Sequence, residues 1–320
     1  MTTREELIKL YNEKLTSIKD DSVKLGAGST KVYVLNIMKL AKDMNKPLEV
    51  DTFLNFKEVT QFIANNNKVL STQKNKVNAV IMYLKAQDRG DYEITKQYGD
   101  WVIKLRDKID DEMGQNEKSE KEEENWLSKE ELEQELAKLK ENLLAVNKKP
   151  TYHQLLSYQQ YFMLAFHIQY PLRNDLANCL IGAEPYANIT ENYIRIRPYL
   201  KTAGMIMNDY KTSDTYGVIK FEITGEALEA LQTYYSLLRK FLGKNGKIPL
   251  IVDKDGEPIS RNNYTKHFQA IFKDTGKSVS TTLIRKAIVS SVYDTKKIKE
   301  LARVMGHSVD TQLNIYAKDM

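Results

Sequence analysis

Apolar residues along the first third of the chain recur at the three- and four-residue spacing of helices that bury one face. After Ser29-Thr30 the stripe is Val34, Ile37, Met38 and Ala41, and Phe53 to Ile63 forms a second amphipathic segment. A third follows Ser71 with Val77, Val80, Ile81 and Leu84, and a fourth carries Tyr98, Val102, Leu105 and Ile109. This predicts a helical bundle over 1–113. The basic stretches between its helices, such as Lys74-Asn75-Lys76, suit either water or DNA. From Gly114 to Asn125 the sequence GQNEKSEKEEEN has almost nothing to bury, so 114–123 reads as an acidic linker, mobile without a partner.

A second domain then spans 124–320. Ser128 followed by Glu131 is a capping box that opens a helix over Lys129 to Leu144, and another covers Thr151 to Gln169. The period changes at Tyr193 to Arg197, Met205 to Met207 and Val218 to Ile223, three short segments that predict a small antiparallel sheet. Helices return at Glu226–Phe241, Arg261–Phe272, Thr282–Tyr293, Lys297–Met305 and Ser308–Ala317. The fold class expected is mainly α with a small antiparallel β-sheet.

Composition narrows the function classes. With 320 residues, 42% hydrophobic and 28% charged, the chain can build two modest cores. Its start, MTTREELIKL, lacks the basic-then-apolar pattern of a secretory signal, and the most apolar stretch, Tyr161 to Ile168, is too short for a bilayer. A soluble intracellular protein without membrane contact is expected. The single cysteine, Cys179, has no partner for a disulfide or thiolate cluster and reads as a small core residue. No structural metal is expected. Thirteen acids against four lysines from Asp107 to Glu135 give that segment −9; with the whole chain at +5, the remainder carries +14. A surface of that sign suits a phosphate backbone as well as a lysine-rich solvated one.

The strongest chemical signal is Leu301-Ala302-Arg303-Val304-Met305-Gly306-His307-Ser308, with Tyr316 nine residues after the histidine. Gly306 suits the left-handed residue that ends a helix and Ser308 can cap the next, so His307 falls in a tight turn. A polar group at a helix start and a tyrosine near the same helix's end can share a pocket. Seen alone, the pattern is weak in a chain with 19 tyrosines.

LARVMGHSVDTQLNIY resembles the signature that closes the catalytic domain of tyrosine recombinases of the phage-integrase type. Thr281-Thr282-Leu283-Ile284-Arg285-Lys286 is similar to the family's second box, normally His-x-x-Arg, with Arg285 on its arginine and Thr282 on its histidine. Tyr170-Pro171-Leu172-Arg173-Asn174-Asp175-Leu176 resembles the first box, with Arg173 on its arginine. Tyr210-Lys211-Thr212-Ser213-Asp214-Thr215-Tyr216-Gly217 resembles the turn that presents the catalytic lysine, although Lys201 competes for that place. The resemblance covers about 124–320; the bundle matches the family's core-binding domain only in size, helicity and position.

The resemblance implies a C-shaped DNA clamp and a site made of Arg173, Lys211, Thr282, Arg285, His307 and Tyr316. Two arginines would fork onto the scissile phosphate, His307 would donate or move a proton, and Lys211 would protonate the leaving 5′ oxygen. Tyr316 would attack to form a 3′-phosphotyrosyl enzyme that conserves the bond energy for rejoining without metal, cofactor or ATP. Double-stranded DNA is the implied partner, with a homotetramer on paired sites and a monomer when free. Three departures stand out. The acid of the first box, Asp175, comes two residues after the arginine instead of three. Thr282 can donate a hydrogen bond but cannot replace an imidazole. Only four residues follow Tyr316, which implies a shortened chain or another mode of assembly. The divergent boxes suggest a virus or mobile element. The alternatives are a type IB topoisomerase and a DNA-binding protein that kept this fold without the chemistry.

Overall fold

The computed structural model describes residues 3–15, 27–90, 92–114, 118–146, 148–185, 189–197, 199, 201–292, 295–311 and 316. The chain divides into two compact units, Met1–Gln115 and Asn116–Met320, each with its own hydrophobic core.

The first unit contains α1 (Arg4–Leu15), α2 (Ala27–Asp43), α3 (Phe56–Asn66), α4 (Leu70–Ala86) and α5 (Glu93–Gly114). The stripes read from the sequence point inward: Val34 and Ile37, Val77, Val80 and Leu84, and Tyr98 and Leu105 are all buried. Two differences stand out. Asn55 caps α3 through its side chain, so Phe53 belongs to a separate one-turn 3-10 helix, Val50–Phe53, instead of opening a helix that runs to Ile63. The helix α1 was not read from the sequence; it buries Leu7, Tyr11 and Leu15, with Ile8 and Leu10 packed beside them.

The second unit begins with α6 (Glu120–Asn125), α7 (Lys129–Glu141) and α8 (Tyr152–Gln169). The acidic stretch expected as a linker over 114–123 is therefore helical from Glu120, with Ser119 and Glu122 forming a capping box. It docks by pairing: Glu122 binds Lys286, and the Asn125 side chain accepts from the Ser278 amide at 2.6 Å. Charge pairing replaces the apolar burial that the composition could not supply. The expected capping box of α7 is present, with Ser128 accepting from the Glu131 amide and Glu131 from that of Ser128.

The centre of this unit is α8, buried along Tyr161–Phe166 and at His167. It packs on α10 (Gly225–Leu242), where the rings of Phe162 and Tyr234 stack at 5.6 Å. Beside them lies a sheet of β1 (Leu180–Gly182), β2 (Tyr193–Arg197), β3 (Thr202–Met207), β4 (Ile219–Ile223) and β5 (Ile248–Pro249), in the order β4-β3-β2-β1-β5. The predicted segments are β2, β3 and β4, paired antiparallel with Ile194 opposite Met205 and Ile206 opposite Lys220. The expectation of a purely antiparallel sheet is corrected: β1 runs parallel to β2, and β5 pairs antiparallel with β1. Strands of three and two residues are too short to show alternation, and only their position against longer partners defines them. The remaining helices are α9 (Ser213–Tyr216), α11 (Arg261–Ile271), α12 (Thr281–Ser290), α13 (Thr295–Met305) and α14 (Val309–Thr311). Of the helix expected over Ser308–Ala317, residues 312–315 and 317 lie outside the described residues, as does Tyr293 at the end of the helix expected from Thr282. Among the described residues no helix is long and apolar enough to cross a membrane.

Candidate active site

Arg173 lies where α8 hands over to a 3-10 turn, Asn174–Asn178. The helix ends at Gln169 because Pro171 cannot continue it, and Tyr170 anchors the break by donating to the Glu222 carbonyl on β4 at 2.8 Å. Arg285 lies one turn into α12, whose start is capped by Ser280. It is only 1% exposed, so it is no surface cation, and burial pushes its guanidinium down to about 10. Gly306, at φ 63°, ends α13 in a Schellman turn: the His307 amide bonds the Ala302 carbonyl at 3.1 Å and the Gly306 amide bonds that of Arg303 at 3.3 Å. A side chain at Gly306 would meet Tyr210 Cε2 at 2.6 Å, so both the conformation and the close approach require glycine.

These three elements meet at Tyr316, which is 6% exposed. Arg173 Nη2 donates to Tyr316 Oη at 3.1 Å, and the Arg285 guanidinium lies 4.3 Å from the centre of the phenol ring. The His307 ring stacks on the same phenol at 5.1 Å with a 19° interplanar angle. Val289 and Met305 close an apolar cluster around it. His307 Nδ1 lies 3.0 Å from the Ser308 carbonyl, which can only accept, so Nδ1 carries the proton and Nε2 the lone pair. Burial, with a smaller contribution from Arg285 and Arg173 against the opposing Ser308 bond, pushes His307 down to about 4. It is a neutral imidazole near pH 7. Among the described residues, His307 Nε2 and Arg285 Nε and Nη2 are buried without a hydrogen-bond partner.

Lys211 is not in this cluster. It is exposed at the start of the β3–β4 connection, whose fold is set by Tyr210 donating to the Gly217 carbonyl at 2.7 Å. The next residue ties that connection to the histidine turn, because Thr212 Oγ1 donates to the Gly306 carbonyl at 2.6 Å. Lys201 stands in the β2–β3 turn at φ 49°, at the other end of β3, roughly 20 Å away along a six-residue strand. Thr282 is exposed at the start of α12 and, among the described residues, its hydroxyl has no hydrogen-bond partner. Its neighbour Thr281 is the buried one, donating to Asn174 at 2.8 Å.

Asp175 is 4% exposed and pairs with Arg261 at 3.4 Å. Burial raises its carboxyl, and Arg261, Arg173 and Arg285 together oppose that rise. Sequence reasoning missed Arg261, which follows the α11 cap Ser260 and carries no motif, and Asn192, which precedes β2. It also missed His167, fully buried beneath the site with Nε2 2.8 Å from Tyr264 Oη and pushed by burial down to about 3. Cys179 is buried as expected, and burial raises its thiol. Among the described residues no group of three His, Cys, Asp or Glu side chains converges to hold a metal ion.

The fold is that of the tyrosine recombinases, whose motifs the four stretches of this sequence resemble. Among solved structures, the Tn1549 transposon integrase (residues 82–397), determined in complex with circular intermediate DNA, aligns at a TM-score of 0.57. It is 15% identical, with 98% of this chain and 96% of that one covered. The XerA recombinase aligns at a TM-score of 0.43 and 14% identity, covering 99% of this chain and 94% of that one. No protein-family model and no curated protein sequence matches the chain.

Proposed function

We propose that the chain is a site-specific DNA recombinase, of the integrase kind, which cleaves and rejoins DNA through a 3′-phosphotyrosyl bond to Tyr316. The carrying observation is the convergence of Arg173, Arg285 and His307 on one buried tyrosine from three separate elements. Buried donors left unpartnered cost about 1–3 kcal/mol each, and those of Arg285 suit the anionic oxygens of a scissile phosphate. The DNA-bound state of the Tn1549 integrase adds support for duplex DNA as the partner.

In this reading the phosphate is held by the two guanidiniums, which offset charge as the pentavalent state forms. Tyr316 Oη attacks phosphorus while the bond to the 5′ oxygen breaks. Neutral His307, with Nε2 free to accept, takes the phenolic proton; an anionic phosphate beside it then favours the imidazolium. Lys211 gives its proton to the departing 5′ oxygen. Rejoining reverses these transfers, so energy stored in the phosphotyrosyl bond suffices. Thr282, exposed at the start of α12, is a candidate donor to a phosphate oxygen.

The test uses DNA nicked next to the cleavage position, from which the short product escapes before rejoining. Wild-type protein should form an adduct that survives boiling detergent, and Tyr316→Phe should form none. An adduct with Tyr316→Phe, or none with wild type on any duplex captured from a randomised pool, overturns the assignment. Relaxation of supercoiled plasmid lacking a captured site, without recombinants, would point to a type IB topoisomerase.

A further inference from the structure

The segment carrying Lys211 is braced on both sides, and one brace involves residues that no motif marks. Asn192 is 2% exposed and uses all its hydrogen-bonding capacity to join two stretches of chain. Its Oδ1 accepts from the amides of Asn208 and Asp209, both at 2.9 Å. Its Nδ2 donates to the Asp209 carbonyl at 2.7 Å and to the Asp175 carbonyl at 3.4 Å. Asp175 lies two residues beyond Arg173, and Asp209 two residues before Lys211. Arg261 spans the same two residues through their side chains, with Nη2 3.4 Å from Asp175 Oδ1 and 3.8 Å from Asp209 Oδ2. The arginine is itself held in place, since its carbonyl accepts from Asn174 at 3.3 Å and Asn174 in turn bonds Thr265 and Thr281. On the far side, Thr212 ties the segment to Gly306.

We propose that Asn192 and Arg261 are positioning residues for Lys211, locking the lysine-bearing connection to the Arg173 turn so that the ammonium meets the leaving oxygen of a phosphate held by Arg173. This rests on the recombinase reading above. The physical need is clear: Lys211 is exposed on a long flexible stem, and general acid catalysis falls steeply when the donor is misplaced. Thr212 and the buried Tyr210 hold one end of the connection at Gly306, and Asn208 bonds the Ile189 and Glu191 carbonyls; the tie through Asn192 and Arg261 is the one that links it to the Arg173 turn. The buried bonds of Asn192 carry most of the rigidity. The Arg261 pair to Asp209 is exposed and weak by itself, and its role is to hold the connection against the buried Asp175 carboxylate.

Chemistry separates positioning of an acid from every other role. When the 5′-bridging oxygen of the scissile phosphate is replaced by sulfur, the leaving group is a thiolate, which departs without a proton; the P–S bond breaks as the bond to Tyr316 Oη forms. The full chain is used with a duplex captured covalently from a randomised pool, synthesised in oxygen and sulfur forms. On the oxygen duplex, Arg261→Gln and Asp209→Asn should slow cleavage by about threefold to fivefold, the most that a weak exposed pair can hold. On the sulfur duplex both should cleave within about twofold of wild type, as should Lys211→Ala. Asn192→Ala should behave alike if it folds; the two exposed side chains keep the outcome decisive if it does not. Equal slowing on both duplexes would assign Arg261 to phosphate contact or folding and overturn the inference, as would unchanged rates on both. Absence of any wild-type adduct would remove the recombinase reading and this inference with it, whereas a wild-type adduct without sulfur rescue removes the inference alone.

Discussion

At the scale of single residues, burial governs the site more than net charge does. Arg285 keeps its charge at 1% exposure because the Tyr316 phenol and the Asp175 carboxylate favour the charged form, against burial and the nearby Arg173. His307 and His167 take the other course and stay neutral. Because both imidazoles bind protons less readily when folded than at the ordinary value near 6.5, the unfolded chain gains protons first as pH falls. Stability is therefore complete above about 6.5 and is lost on acidification, through about 4 for His307 and about 3 for His167. At pH 5 each should cost about 2 kcal/mol relative to pH 7.5. Urea midpoints at the two pH values measure this, and His307→Gln should remove about half of the fall attributable to the pair. An unchanged acid fall in that variant would place the sensitivity elsewhere. Single residues also show what motifs conceal: Arg261 and Asn192 are ordinary in sequence, and only the meeting of segments 17 to 86 residues apart gives them a role.

At the scale of elements, the site is assembled from ends: the end of α8, the beginning of α12, the turn after α13 and the β3–β4 connection. Ends are where capping residues and glycine leave their marks, and of the site's ends the sequence showed the turn at Gly306 and Ser308. The acidic α6 is the exception. Its composition forbids an apolar face, and it is held by Glu122 on Lys286, whose side chains are 22% and 12% exposed, next to Arg285 on α12. A pair shielded to that degree should be worth more than a surface pair, about 1–2 kcal/mol. A double-mutant cycle with Glu122→Gln and Lys286→Met should return a coupling of that size; a coupling near zero would mean that α6 is held by Asn125 and Lys277 alone, through their bonds to the Ser278 amide and the Trp126 carbonyl.

At the scale of the molecule, two cores share no residue: one built from α1 to α5, the other from α7 through α13 and the sheet. Each unit buries its own apolar stripe, so cooperativity should not extend across the chain. Calorimetry should resolve two unfolding transitions, and the fragment 116–320 should unfold at the temperature of one of them. One transition that a fragment cannot reproduce would show that the cores unfold as one.

The sequence by itself determined much of this protein. Helical periodicity placed α2, α4, α5, α8 and α10, alternation placed β2 and β4, and the Gly306-His307-Ser308 turn with Tyr316 pointed to the site, because periodicity, caps and turns are local and survive in one dimension. Tertiary structure decided the rest. It added β1 and β5, which exist only against longer partners, and turned an acidic linker into a docked helix. It gave Asp175 to Arg261 and left Arg173 on Tyr316. It also brought Lys211 to the histidine end of the sheet through Thr212. These are choices among partners far apart in the chain, made by geometry and by the cost of burying an unpaired charge, and no local pattern of residues encodes them.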